Sequence, residues 1–129
     1  MADLELVRRL VNAENGLAIV STLRQDGSIQ TSLVNAGVVG DDVAFVARSS
    51  TRKIANIERA GRAAITFRSG WEWAAVEGPA RVAGDDAQLL RDVFTAAGGT
   101  HDDWDTYDRV MKEEGRVAVF VEPARITSN

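Results

Sequence analysis

Cysteine is absent from all 129 residues, which removes disulfides, thiolate metal sites, iron–sulfur clusters and thiol nucleophiles together. Histidine occurs once, as His101, and a single imidazole builds no metal site here. No apolar run approaches the roughly 20 residues that a membrane-crossing helix needs. The opening Met1-Ala2-Asp3-Leu4-Glu5 is acidic, where a secretory leader carries a basic stretch followed by an apolar one. The expectation is a cytoplasmic protein without membrane contact. Paired carboxylates placed for hydrolysis, a G-x-S-x-G elbow and a P-loop are also missing, so the usual hydrolase and phosphotransferase signatures are excluded.

What is present fits a globular chain: 45% hydrophobic and 26% charged residues, in a length that matches one domain over 1–129. The net charge of −4 opposes nucleic acid unless basic residues cluster. They do cluster. Residues 48 to 62 hold Arg48, Arg52, Lys53, Arg59 and Arg62 against Glu58 alone, while 85 to 108 is acidic. No aromatic residue interleaves with the basic stretch, which argues against a nucleic-acid surface and for a local anion site.

Leu4, Val7, Leu10 and Val11 recur at helical spacing, and Asn15-Gly16 stops that helix. Strands are expected over 17–23 and 29–34, joined by a turn at Gln25-Asp26-Gly27-Ser28. A further strand at 43–46 precedes a short helix capped by Ser50 or Thr51 and running through Arg59. Strands at 63–67, 73–77 and 80–83 follow, with Gly78-Pro79 read as a bulge or bend. Helices over 86–97 and 103–114 and a closing strand at 117–121 complete the pattern. Many short strands with few helices favour a closed antiparallel barrel. A Rossmann fold is set aside, because Gly37-Val38-Val39-Gly40 has neither the fingerprint spacing nor a following helix.

Arg48-Ser49-Ser50-Thr51-Arg52-Lys53 lies between a strand and a helix start. Guanidinium forks, an ammonium, hydroxyls and free backbone N–H groups together suit the oxygens of a phosphate. A solvated basic helix terminus accounts for the same residues. In the acidic helix, spacing puts Trp104, Tyr107, Val110 and Met111 on one face as packing scaffold. His101 reads as a solvated neighbour of that helix's cap.

Gln30-Thr31-Ser32, the Ser-Thr-Arg-Lys segment followed by Asn56-Ile57, Gly70-Trp71, Glu77-Gly78 and Asp102 to Tyr107 occur in an order that resembles the mycobacterial-type flavin/deazaflavin-dependent oxidoreductases of the pyridoxamine-phosphate-oxidase-like superfamily. The resemblance covers nearly the whole chain and rests on the order of these segments. It implies a mainly β fold with helices, a six-stranded antiparallel Greek-key split barrel of the FMN-binding type, and a homodimer with cofactor at the subunit interface. It places Lys53 on the cofactor phosphate with Ser50, Thr51 and Arg52 beside it and Arg48 at the strand exit. It puts Gln30, Thr31 and Ser32 along the ring system and Trp71 near the ring or its mouth. The implied activity is hydride transfer from reduced coenzyme F420 to an unsaturated small molecule. FMN is the alternative cofactor, and a non-catalytic binding module the alternative role. Arg59 and Arg62 would suit the longer anionic tail of F420. Vitamin B6 oxidase activity is not expected, because the C-terminal histidine flanked by arginines has no counterpart here.

Overall fold

Apolar and polar residues alternate along β1 (Leu17–Leu23) in the computed structural model, which describes residues 3–129. Ala18, Val20 and Thr22 point inward and are buried, while Leu17 and Ile19 face out. β1 pairs with β2 (Ile29–Val39) and with β4 (Arg62–Ser69), all antiparallel. β3 (Asp42–Arg48), β6 (Arg116–Val121) and β5 (Glu72–Gly84) continue the sheet, and β4–β5 pairing closes it. The result is the six-stranded closed antiparallel barrel expected from the sequence. α1 (Leu4–Ala13), α2 (Arg52–Ala60), α3 (Ala87–Ala96) and α4 (Trp104–Glu113) pack around it.

Inside the barrel, Val7 and Leu10 of α1 meet Phe45, Ile65, Phe67, Val76 and Val119, all essentially inaccessible to solvent. Each such side chain contributes about 1.5–3 kcal/mol by burial. A second cluster lies outside the barrel wall, where Ala44, Ala118 and Phe120 are covered by Leu90, Val93 and Tyr107 of α3 and α4. β3 is therefore buried on both faces, which explains why Val43-Ala44-Phe45-Val46 is an unbroken apolar run.

The two longest strands, β2 and β5, run past their expected bounds because each changes partner midway. β2 pairs with β1 through Asn35 and then with β3 from Ala36 to Val39. Gly37, next to this change, lets the end of α3 press against the wall, since a Cβ there would collide with the backbone of Ala96 and of the following Ala97. β5 pairs with β4 through Pro79 and with β6 from Ala80. Gly78-Pro79 thus marks a change of partner within one strand, and the irregular register sits later, between Val82 and Gly84. A seventh strand, β7 (Arg125–Ser128), has no counterpart among the sequence expectations and pairs with Ala74–Glu77 of β5. Several acidic residues act as helix caps: Asp3, Asp86 and Asp103 accept from the N–H groups of Leu6, Leu89 and Thr106. Among the described residues no helix is long and apolar enough to cross a membrane.

Candidate functional site

β3 ends at Arg48, and the chain turns through Ser49 and Ser50 into α2. The Ser49 N–H donates to the Gly115 carbonyl at 2.8 Å, fastening this turn to the start of β6. Thr51 occupies the cap position, yet its hydroxyl donates back to the Arg48 carbonyl at 2.9 Å and makes no bond into the helix. The first N–H groups of α2 therefore receive no side-chain acceptor from their own cap, the condition under which a helix start attracts an anion.

Arg48 and Arg116 stand directly opposite each other in the β3–β6 register. Like charges in that relation are unfavourable. Glu114 lies between them, meeting Arg48 Nη2 at 2.8 Å and Arg116 Nε at 3.2 Å. Lys53, half-buried, adds a third cation, and no carboxylate among the described residues approaches it within ion-pair distance. Loss of solvent, followed by the Arg116 charge, holds its ammonium below the ordinary value of 10.5. Of the three cations, two share one carboxylate and Lys53 pairs with none among the described residues.

These groups form one end of a cleft of about 330 Å³. Leu33, Val34 and Asn35 of β2 and Val46 and Ala47 of β3 line one side, and Val93, Phe94, Tyr107 and Met111 of the two outer helices form the other. Tyr107 anchors the helical wall: its ring packs 4.9 Å from Phe94 and 5.2 Å from Trp104, and its hydroxyl donates to the Leu90 carbonyl at 3.3 Å. Burial, and then the neighbouring Asp108, raise its phenol above the usual range. Bidentate pairing of Arg91 with Asp108 straps α3 to α4. The arrangement offers an anion-binding end and an apolar slot, the two requirements of a phosphorylated ring compound.

Residues 5–128 match the pyridoxamine 5'-phosphate oxidase family. The chain belongs to that family. No curated protein matches it. Solved structures share the fold at low identity. A conserved hypothetical protein of Mycobacterium tuberculosis is 19% identical, with TM-score 0.77 over 99% of this chain and 84% of that one. An F420 reductase is 16% identical, with TM-score 0.72 over 93% and 94% of the two chains. A pyridoxamine 5'-phosphate oxidase-related, FMN-binding protein of Nostoc punctiforme is 12% identical, with TM-score 0.66 over 97% and 80%.

Within this family barrel, Arg48, Thr51 and Lys53 come together at the cleft, while Ser50 and Arg52 lie exposed on the same turn outside its lining. Gln30, Thr31 and Ser32 sit just before the β2 residues that line it. Gln30 accepts from Asn56, Thr31 is exposed, and the Ser32 hydroxyl is buried with no hydrogen-bond partner. Trp71 stands 94% exposed on the β4–β5 turn. It lines a separate groove of about 630 Å³ with Leu17, Ile19, Leu33 and Trp73, and Leu33 borders both spaces. Both members of the pair assigned to a long anionic tail are exposed, but Arg59 is committed to the Leu23 carbonyl and to Asn56, leaving Arg62 without a side-chain partner among the described residues.

His101 is the expected exposed neighbour of the α4 cap: its Nδ1 accepts from the Asp103 N–H at 3.0 Å, and its ring also lies against Trp104 and Tyr107. α4 is more than scaffold, because Tyr107 and Met111 face the cleft. Arg116 and Glu114 were not expected. Their signal was the charged pair flanking Gly115 just before the apolar run of β6, across from Arg48 once β3 and β6 pair.

Proposed function

We propose that this member of the family binds a phosphorylated flavin-type cofactor in the cleft and acts as an oxidoreductase, with reduced F420 delivering hydride to an unsaturated small molecule. The observation that carries it is the cationic end: Arg48 and Arg116 share the single carboxylate of Glu114, and Lys53 stands beside them without a carboxylate partner among the described residues, next to an uncapped helix start. An anionic phosphate group would offset both the Arg48–Arg116 opposition and the desolvation cost of Lys53. Ser50, Thr51 and Arg52 would complete the phosphate contacts, and the unpartnered Ser32 hydroxyl offers a polar atom at the β2 side. Gln30, Thr31 and Trp71 belong to the same assignment, at the ring side and its mouth. The residues fit such a group.

When bound, a 5-deazaflavin supplies hydride from carbon, whereas a flavin also passes single electrons and reacts with oxygen. The chain's own contribution is positional. Cations anchor the phosphate, and the Phe94–Tyr107–Met111 wall excludes water from the slot. No acid or base is assigned. Leu17, Ile19, Leu33 and Trp71 expose an apolar face bordering the cleft, which supports a second copy covering it in a cytoplasmic homodimer. FMN is the second reading, favoured by one observation: Arg59 is held by Asn56 and Leu23, which removes a cation from the longer F420 tail.

Fluorescence titration with F420 and FMN separately tests the proposal. Tighter binding of F420, with turnover of an activated alkene, is expected. Tight FMN binding without response to F420 would transfer the assignment to FMN, binding without turnover of any acceptor would make this a carrier module, and no binding of either would end the cofactor assignment.

A further inference from the structure

One polar cluster is enclosed between α2 and the barrel. Asn56, on α2, is 6% exposed and uses its entire amide: Nδ2 donates to Thr22 Oγ1 at 3.1 Å and to Gln30 Oε1 at 3.0 Å, and Oδ1 accepts from Arg59 Nη1 at 3.3 Å. Thr22 is 3% exposed and lies directly opposite Gln30 in the β1–β2 register. Arg59 reaches on to the Leu23 carbonyl, so the network grips both strands of one hairpin.

The packing of α2 otherwise rests on Ile54 and Ile57, whose apolar contacts are non-directional and tolerate small rotations and slides. A fork of two N–H bonds to adjacent strands does not. Asn56 lies three residues beyond Lys53, one turn along the same helix face. Rotating α2 about its axis would swing Lys53 away from Arg116 and turn the open N–H groups off the cleft. The cap side chain ties Thr51 to the Arg48 carbonyl and makes no bond into the helix, so it does not fix the rotation of the turns beyond it.

We infer that Asn56 is a positioning residue for the anion site: its amide fork, closed on Thr22 and Gln30, fixes the rotation of α2 that aims Lys53 and the helix start at a cofactor phosphate. This assignment rests on the cleft holding such a phosphate. It also gives Gln30 a defined task, as the β2 end of the fork.

The test compares ligands that differ in the phosphate: FMN with riboflavin, and F420 with its phosphate-free deazaflavin chromophore. Affinities are measured by fluorescence for wild type, Asn56→Ala, Lys53→Ala and the double variant, with thermal unfolding followed on the same samples. Asn56→Ala is expected to weaken the phosphate-bearing ligand about tenfold and the phosphate-free one less than about twofold. That loss should vanish in the Lys53→Ala background, as coupled sites require. Thr22→Val should weaken phosphate-bearing ligands in the same direction, and Thr22→Ser, which keeps the acceptor, should restore affinity. This pair carries the test if Asn56→Ala does not fold. Equal weakening of both ligands, an undiminished loss without Lys53, or a lower melting point with unchanged affinity would overturn the inference. A wild-type protein that fails to prefer the phosphate-bearing member of either pair would overturn the cofactor assignment itself, and this inference with it.

Discussion

Two sets of basic side chains in this barrel have opposite electrostatic circumstances. Arg9 and Arg91 each form a two-pronged pair with one carboxylate, Glu72 and Asp108. Their charges are matched one to one, and both pairs tie separate elements together. Arg48 and Arg116, opposed across a strand pair, divide Glu114 between them, and Lys53, on the same margin of a cleft, has no carboxylate partner among the described residues. Matched pairs act as struts. The unmatched set is the feature on which the proposed anion site rests.

The largest effect should come from Lys53→Ala. Losing a charge-assisted contact of about 1–3 kcal/mol weakens a phosphate-bearing cofactor roughly tenfold to a hundredfold, with the melting temperature little changed. Calorimetric titration checks both values. Glu114→Gln sharpens the contrast through its sign: removing the shared carboxylate should tighten FMN or F420 by roughly twofold to fivefold at low salt, with the gain fading as salt rises.

The pH dependence follows from Lys53. Its folded-state pKa is lowered from 10.5, so between the lowered value and 10.5 the unfolded chain holds more protons. Stability of the ligand-free protein therefore rises with pH across that window, and the desolvation cost is fully present below it. A phosphate favours the charged ammonium, so cofactor affinity should be full below the lowered value and decline as pH climbs through it. Lys53→Ala should flatten that alkaline decline in a pH series of binding constants. The smallest effect on binding belongs to a strut: Arg91→Ala should leave cofactor affinity unchanged while lowering the thermal midpoint. A large affinity loss there would blur the distinction between the two sets.

Much of the barrel was legible because burial imposes pattern. Alternation along Leu17–Leu23 follows from one buried face, and the unbroken run at Val43–Val46 from two. The cationic turn was legible because strand, hydroxyls and helix start are contiguous. What escaped depends on pairing between distant segments. Arg116 joins the site only through its register with Arg48, and β7 exists only because the β5 edge at Ala74–Glu77 accepts it. The hydrogen bond from Asn56 to Gln30 likewise joins segments 26 residues apart, and neither residue's local pattern announces it. β2 runs past its expected end because it passes from β1 to β3 at Ala36, a change of partner that no local periodicity encodes.

The most direct measurement is the affinity of one preparation for FMN and riboflavin side by side, repeated with F420 and its phosphate-free chromophore, in wild type and Lys53→Ala. The account predicts that the phosphate-bearing ligand of at least one pair binds more than about tenfold tighter in wild type, and that Lys53→Ala removes most of that difference. Equal affinities within both pairs, or a preference that survives loss of Lys53 intact, would contradict it.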